Sequence, residues 1–80
     1  MDRTLVKTET VSVGDRAFQV RFFASRTPRG LRRYSAEIVL APGDRVILDD
    51  DSVVSLEVRA TRLVPATVYS RALAGKARAA

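Results

Sequence analysis

The 80-residue chain is long enough for one small domain and no more. It has no cysteine and no histidine, which excludes disulfides and thiolate metal sites and removes the commonest general base. The net charge of +5 has two explanations, an anionic partner or simply an arginine-rich composition. The clustering of charge along the chain is therefore the better guide to function. No apolar run reaches the length of a membrane span, and the first residues lack the apolar core of a signal peptide, so a cytoplasmic protein is expected.

The N-terminal third of the chain predicts a β-hairpin. Residues 4–13 are rich in threonine and valine, and residues 16–24 alternate apolar with other side chains, as strands with one buried face do. Gly14-Asp15 suits a two-residue turn, because glycine adopts positive φ without strain. The large apolar side chains on one face of the second strand are Phe18, Val20 and Phe22.

This turn also predicts a register between the two strands. It places Val11 opposite Phe18 and Leu5 opposite Ala24, so both Val11 and Leu5 are expected on the core face. Lys7 falls on the same face, as does Glu9. We expect these two charged side chains near a sheet margin, with packed stems and solvated heads.

Two further strands are predicted at residues 34–41 and 45–49. Between them, Ala41-Pro42-Gly43-Asp44 has proline and glycine where a type II turn requires them. One face of the third strand carries Ile38 and Leu40. The side chains predicted to be the most buried are Phe18, Val20, Phe22, Ile38 and Leu40.

Residues 53–64 fit two structures. Their apolar side chains at Val53, Leu56 and Ala60 follow one helical stripe that continues to Leu63 and Val64, after an Asp-Asp-Asp-Ser segment suited to capping a helix. The same residues alternate as a strand would, and four of them are valines, which favour sheets. We favour the helix, from about residue 51 to 64, because the run is long and Asp-Asp-Asp-Ser is a poor tight turn.

Pro65 is predicted to end this helix and to begin a second, short one that stops at Gly75. The fold expected is α+β: an antiparallel three- to four-stranded meander covered on one face by one or two C-terminal helices. The alternative is a mainly β, five-stranded sheet with one C-terminal helix. Residues 1–75 are expected to form a single small domain, and residues 76–80 a frayed tail.

Residues 26–33, the basic loop, are the strongest candidate for a binding site. Four arginines crowd into eight positions, and a tyrosine that could stack on a base follows them. An alternative interpretation is a solvated loop whose charge keeps the protein soluble. The candidate anion- or nucleic-acid-binding residues are Arg26, Arg29, Arg32, Arg33 and Tyr34.

Metal binding and catalysis have weaker support in the sequence. Asp49-Asp50-Asp51 offers oxygen ligands, but it lacks the glycine and acidic spacing of an EF-hand, and helix capping explains it with fewer assumptions. The hydroxyl nucleophiles have no histidine to activate them, and no glycine-rich phosphate loop is present. We therefore expect a non-enzyme that uses neither metal nor cofactor.

Two functions remain open. In the first, the chain is a small protein–protein interaction or regulatory module that binds a protein partner or itself, because a domain of this size has a small core and many apolar residues. In the second, it binds nucleic acid through the basic loop. Salt dependence distinguishes the two, because phosphate binding weakens steeply as salt rises.

Overall fold

The computed structural model describes residues 3–79, with side chains to residue 75. Four strands form one antiparallel sheet in the order β1-β2-β3-β4, and one long helix follows them. The elements are β1 (Arg3–Val13), β2 (Arg16–Arg26), β3 (Arg32–Ala41), β4 (Asp44–Asp50) and α1 (Val53–Ala79). The predicted α+β meander with a helical cover is confirmed, and the five-stranded alternative is wrong because residues 53–64 are helical.

Two of the tight turns contain glycines at the positions that the sequence predicts. Gly14 has a φ of 62° in the β1–β2 turn, and Gly43 has a φ of 78° in the β3–β4 turn. Residues with a Cβ rarely adopt this left-handed conformation, so glycine fixes where both hairpins close. Each closed hairpin keeps its own two strands side by side, and the pairing of β2 with β3 joins the two hairpins into one sheet.

One face of the sheet, the covered face, packs against α1 and forms the core. All five side chains predicted to be the most buried lie there and are buried. Ala36 completes the contribution of the sheet, and the helix adds Leu56, Ala60 and Val64. These helical residues recur every four positions, so they form one stripe against the sheet, as predicted.

The helix does not stop where the sequence predicts. It continues through Pro65, and it also continues through Gly75 to Ala79. An internal proline removes one backbone hydrogen bond and costs about 3 kcal/mol. Val64 is buried and Val68 packs against the core, so contacts with the sheet on both sides of the proline favour a continuous helix. The frayed tail is predicted at residues 76–80, whose side chains lie outside the described part of the chain.

Among the residues whose side chains the structure describes, three ion pairs join the helix to the sheet. Near its start, Arg59 lies 3.0 Å from the carboxylate of Asp50. Two residues before Arg59, Glu57 pairs with Lys7 of β1, which also lies 2.9 Å from Glu9. Toward its end, Arg71 donates two hydrogen bonds to Asp44, at 3.0 and 3.2 Å. Lys7 and Glu9 therefore lie at the sheet margin, as expected, and their edge position lets them pair with each other.

The predicted register of β1 is correct only as far as Lys7. Lys7 pairs with Phe22, but a β-bulge follows, and Leu5 pairs with Phe23 instead of Ala24. Val6 is the extra residue of the bulge. Because adjacent side chains in a strand point to opposite faces, the bulge moves Leu5 away from the core, and Leu5 is exposed.

Candidate interaction surfaces

The side of α1 that points away from the sheet carries large exposed apolar side chains, interrupted at mid-length by Thr61 and Arg62. Val54, Val58, Tyr69 and Leu73 lie on this side, and each is between 47% and 67% exposed. Pro65 lies among them and is also exposed. We name these five residues the outer helix stripe.

A surface helix normally presents charged and polar side chains to water and apolar ones to the core. Here both sides are apolar over much of the length, and Glu57, the one acidic residue of the helix sequence, pairs with Lys7 of the sheet. Scattered exposed apolar residues are ordinary, but several of them along one side of a helix mark a surface suited to a partner. The outer helix stripe is therefore the first candidate surface.

The second surface is the side of the sheet opposite α1, the open face. It carries an ion-pair cluster centred on Glu37 of β3, which we name the arginine cluster. Arg21 of β2 donates a hydrogen bond to Glu37, Arg45 of β4 donates another at 3.3 Å, and Arg3 of β1 lies 3.8 Å away. One carboxylate thus holds a guanidinium from each of the other three strands.

Glu37 is only 1% exposed, although α1 packs against the opposite face of the sheet. The three arginines and their neighbours shield it, because long side chains lay their stems over the surface and keep their heads in water. The hydrogen bond from Arg21 is the main cause that lowers the pKa of Glu37 below its ordinary value, while burial opposes the shift. Glu37 is therefore ionised at neutral pH and neutralises only part of the charge around it.

The bulge at Val6 brings Arg3 to this cluster. In the regular register that the sequence predicts, Arg3 would lie on the covered face; in the structure it pairs with Ser25 and lies on the open face. Its guanidinium lies 4.0 Å from the centre of the Phe23 ring, a cation–π contact. Bulges often redirect a side chain in this way.

Sequence patterning missed the arginine cluster. The alternation of β2 and β3 does put Arg21 and Glu37 on the face away from the core, so part of the cluster could have been found from the period of two. Arg3 could not, because nothing in the sequence marks Val6 as an extra residue. The cluster also depends on the side-by-side order of four strands, which becomes known only with the fold.

The structure distributes the five predicted binding residues over both faces and the loop. Arg26 and Arg32 are cross-strand neighbours where β2 and β3 meet the loop, and both lie on the covered side of the sheet, near the start of α1. Arg29 lies exposed in the loop itself. Tyr34 is partly buried on the covered side and packs against the core, whereas Arg33 points to the open face. Arg26, Arg32 and Tyr34 share one shallow hollow, so the structure brings together three of the five.

The acidic segment before α1 acts as a cap. Asp50 accepts a hydrogen bond from the backbone N–H of Ser52 at 3.1 Å, and the Ser52 hydroxyl oxygen accepts one from the N–H of Ser55 at 3.3 Å. The bond from Ser52, followed by those from Arg59 and Ser55, lowers the pKa of Asp50 far below its ordinary value. These bonds satisfy free donors at the start of the helix, as the capping interpretation predicts.

Comparison with known proteins finds no matching family model, no significantly similar curated protein and no significantly similar solved structure. Within the part of the chain that the structure describes, no helix has the length and apolar character needed to cross a membrane. The two surfaces and the basic loop are therefore the features of the molecule that bear on its function.

Proposed function

We propose that this chain is a small non-enzymatic interaction module that self-associates through the outer helix stripe. The observation that carries the proposal is the exposure of large apolar side chains along the side of α1 that faces away from the sheet. A domain of 80 residues buries a modest fraction of its surface, so covering this stripe with a second copy would add to a small core.

The spacing of the stripe suits an antiparallel pair. Val54 precedes Val58 by four residues, and Tyr69 precedes Leu73 by the same interval. When two such helices run in opposite directions, Val54 of each copy faces Leu73 of the other, and Val58 faces Tyr69. A twofold symmetric dimer needs this kind of self-complementary surface.

The dimensions of the stripe predict a weak dimer. Val54 and Leu73 are nineteen positions apart, which is about 28 Å along a helix, and a helix is about 10 Å wide, so the footprint is about 300 Å² per copy. A standard interface buries about 800 Å² per partner. We therefore expect association at concentrations of tens of micromolar and above, measured as mass against concentration by sedimentation equilibrium. A mass that stays monomeric up to about 1 mM would contradict the proposal.

Charge substitutions test which surface is used. Val58→Lys places a charge within the stripe and should shift dissociation to at least tenfold higher concentration. Ser70→Lys adds the same charge at an exposed helical position outside the stripe and serves as the matched control. Equal weakening by both substitutions would mean that net charge, not the stripe, controls association.

Cross-linking tests the antiparallel arrangement directly, because the chain has no cysteine of its own. The double variant Val54→Cys with Leu73→Cys should form disulfide-linked dimers readily, since each new thiol faces its counterpart in the other copy. The single variant Val54→Cys places the two thiols about 28 Å apart and should link poorly. Equally efficient linking by both variants would exclude the arrangement.

Nucleic-acid binding through the basic loop is the second candidate. It is favoured by one observation: within the described residues, Arg26, Arg29, Arg32 and Arg33 form no ion pair with an acidic group, and Arg26 only donates a hydrogen bond to the carbonyl of Gly30. Unpaired arginines are available to phosphates.

A gel-retardation assay with single- and double-stranded DNA and RNA at low salt tests this candidate. If it is correct, replacing Arg29, Arg32 and Arg33 together by alanine should weaken binding to all sequences and flatten its salt dependence. The fold should be retained, because exposed arginines contribute little to stability. Failure of the unmodified protein to retard any nucleic acid would exclude the candidate.

A further inference from the structure

We infer that the open face of the sheet is a second docking surface, which binds a protein segment carrying carboxylates among apolar side chains. The arginine cluster supplies the carboxylate-binding groups. Three guanidiniums surround the single carboxylate of Glu37, so the cluster keeps a surplus of positive charge. The surface lies on the side of the sheet opposite α1 and does not depend on self-association.

The arginines keep hydrogen-bonding capacity for a ligand. Each guanidinium has five N–H donors, and the contacts with Glu37 use few of them. The side chains of Arg3, Arg21 and Arg45 are 48%, 45% and 63% exposed, so their outer edges face solvent. A guanidinium matches a carboxylate with two parallel hydrogen bonds, which makes a carboxylate a fitting ligand for the free edges.

Glu37 acts as a positioning residue for the cluster. A free arginine loses side-chain entropy when it is fixed in one geometry. Here the buried carboxylate already restrains three arginines, and Arg3 also stacks on Phe23. A surface whose binding groups are held in place before the partner arrives loses less entropy on binding.

Apolar residues around the cluster favour a protein over a nucleic acid. Leu5 and Ile47 are about half exposed on the open face, and Val39 is exposed there as well. Arginines mixed with apolar side chains are typical of protein interfaces. Single-stranded nucleic acid instead needs free aromatic rings for its bases, and the Phe23 ring is already covered by Arg3.

The test uses the full chain and a synthetic probe of ten residues in which glutamate alternates with leucine. Such a segment, when extended, presents carboxylates on one side and leucines on the other. During a titration followed by nuclear magnetic resonance, we expect shifts of amide signals on the open-face strands, at Arg21, Phe23, Glu37 and Ile47. A peptide alternating lysine with leucine should cause none, and added salt should weaken the binding.

A pair of double variants separates the cluster from net charge. Arg3→Ala with Arg45→Ala removes two of the three guanidiniums and keeps Arg21, the main partner of Glu37, so the fold should be retained. This variant should bind the probe at least tenfold more weakly. Arg16→Ala with Arg62→Ala removes the same charge at exposed positions outside the arginine cluster and should bind the probe as the unmodified protein does.

Three results would overturn the inference. The first is no amide shift with the glutamate–leucine probe, and the second is an equal loss of probe affinity in the two double variants. The third is an oligothymidylate of fifteen nucleotides that shifts the same amide signals at lower concentration than the peptide. The last would assign the open face to nucleic acid. Val58→Lys should weaken self-association but leave probe binding unchanged. Conversely, the variant lacking the Arg3 and Arg45 side chains should lose probe binding but still self-associate. Failure of either surface is therefore seen independently of the other.

Discussion

The two faces of the sheet bury side chains by different means. On the covered face, apolar side chains such as Phe22 and Ile38 lie beneath α1 and are almost inaccessible to solvent. On the open face, Glu37 is equally inaccessible, although its cover consists of arginine side chains from neighbouring strands. One face excludes water with a helix, and the other shields a charge with opposite charges.

This difference shows which parts of the surface are free for partners. The apolar contacts of the covered face stabilise the fold without leaving groups that a ligand could use. The arginines of the open face keep exposed donors, and the outer helix stripe keeps exposed apolar side chains. A small domain can therefore present two chemically different surfaces on opposite sides of a single core.

The largest expected effect concerns the two sides of α1. Leu56 is fully buried against the sheet, so Leu56→Lys should unfold the domain, because the buried charge costs more than a domain of this size can offset. Val58 is 49% exposed, and Val58→Lys should change the free energy of unfolding by less than about 0.5 kcal/mol.

Circular dichroism and urea unfolding at about 1 µM, where a weak dimer dissociates, check this pair of substitutions. Unfolding of both variants would mean that the side of the helix assigned to solvent is buried.

Phe22 and Phe23 allow the same comparison between the faces of the sheet. Phe22→Ala removes a buried aromatic ring from the covered face and should lower the free energy of unfolding by about 3–5 kcal/mol. Phe23→Ala removes a partly buried ring from the open face and its cation–π contact, and should cost about 1 kcal/mol. Urea titration gives both values, and similar losses would contradict the assignment of one buried and one open face.

Glu37 tests how the open face is held. Glu37→Gln removes the charge that the arginines share and should cost about 1–3 kcal/mol at neutral pH. The pKa of Glu37 is lowered in the folded protein, so this contribution is present above the ordinary glutamate pKa of about 4.3 and is lost as the pH falls through the folded value.

The difference in unfolding free energy between the unmodified protein and Glu37→Gln should therefore shrink below about pH 4.3. Urea titrations across pH 2.5–7 measure it. A difference that stays constant over this range would show that the charge of Glu37 does not contribute to stability.

The sequence was informative where local pattern and global fold agree. The alternation through Phe18, Val20 and Phe22 identifies the core face, and Gly14 identifies a turn, since both effects act within a few residues. The helical stripe through Leu56 and Ala60 is also legible, although valines in the same segment support a strand equally well.

The sequence was misleading where distant contacts decide the outcome. Pro65 and Gly75 predict the end of a helix, yet α1 passes through both, because Val64 and Val68 pack on the sheet. The arginine cluster joins residues up to 42 positions apart in the chain, from Arg3 to Arg45, and no local pattern predicts such a meeting. The outer helix stripe was likewise visible only once the helix proved continuous.

The smallest expected effect concerns the bulge in β1. Deleting one residue from a strand normally moves the side chains on one side of the deletion to the opposite face. Val6 is the extra residue of the bulge, so without it Leu5 can still pair with Phe23 and Lys7 with Phe22 in a regular ladder. We therefore expect deletion of Val6 to change the free energy of unfolding by less than about 1 kcal/mol.

Deletion of Gln19 from β2 provides the control for this prediction. Gln19 is exposed between Phe18 and Val20, and its loss must turn one of these two buried side chains to the open face. That variant should lose several kcal/mol or fail to fold. Urea unfolding of both deletion variants measures the two losses. If removing Val6 is as damaging as removing Gln19, Val6 is a necessary part of the strand. The position of Arg3 on the open face would then depend on the bulge itself rather than on the pairing of the residues that follow it.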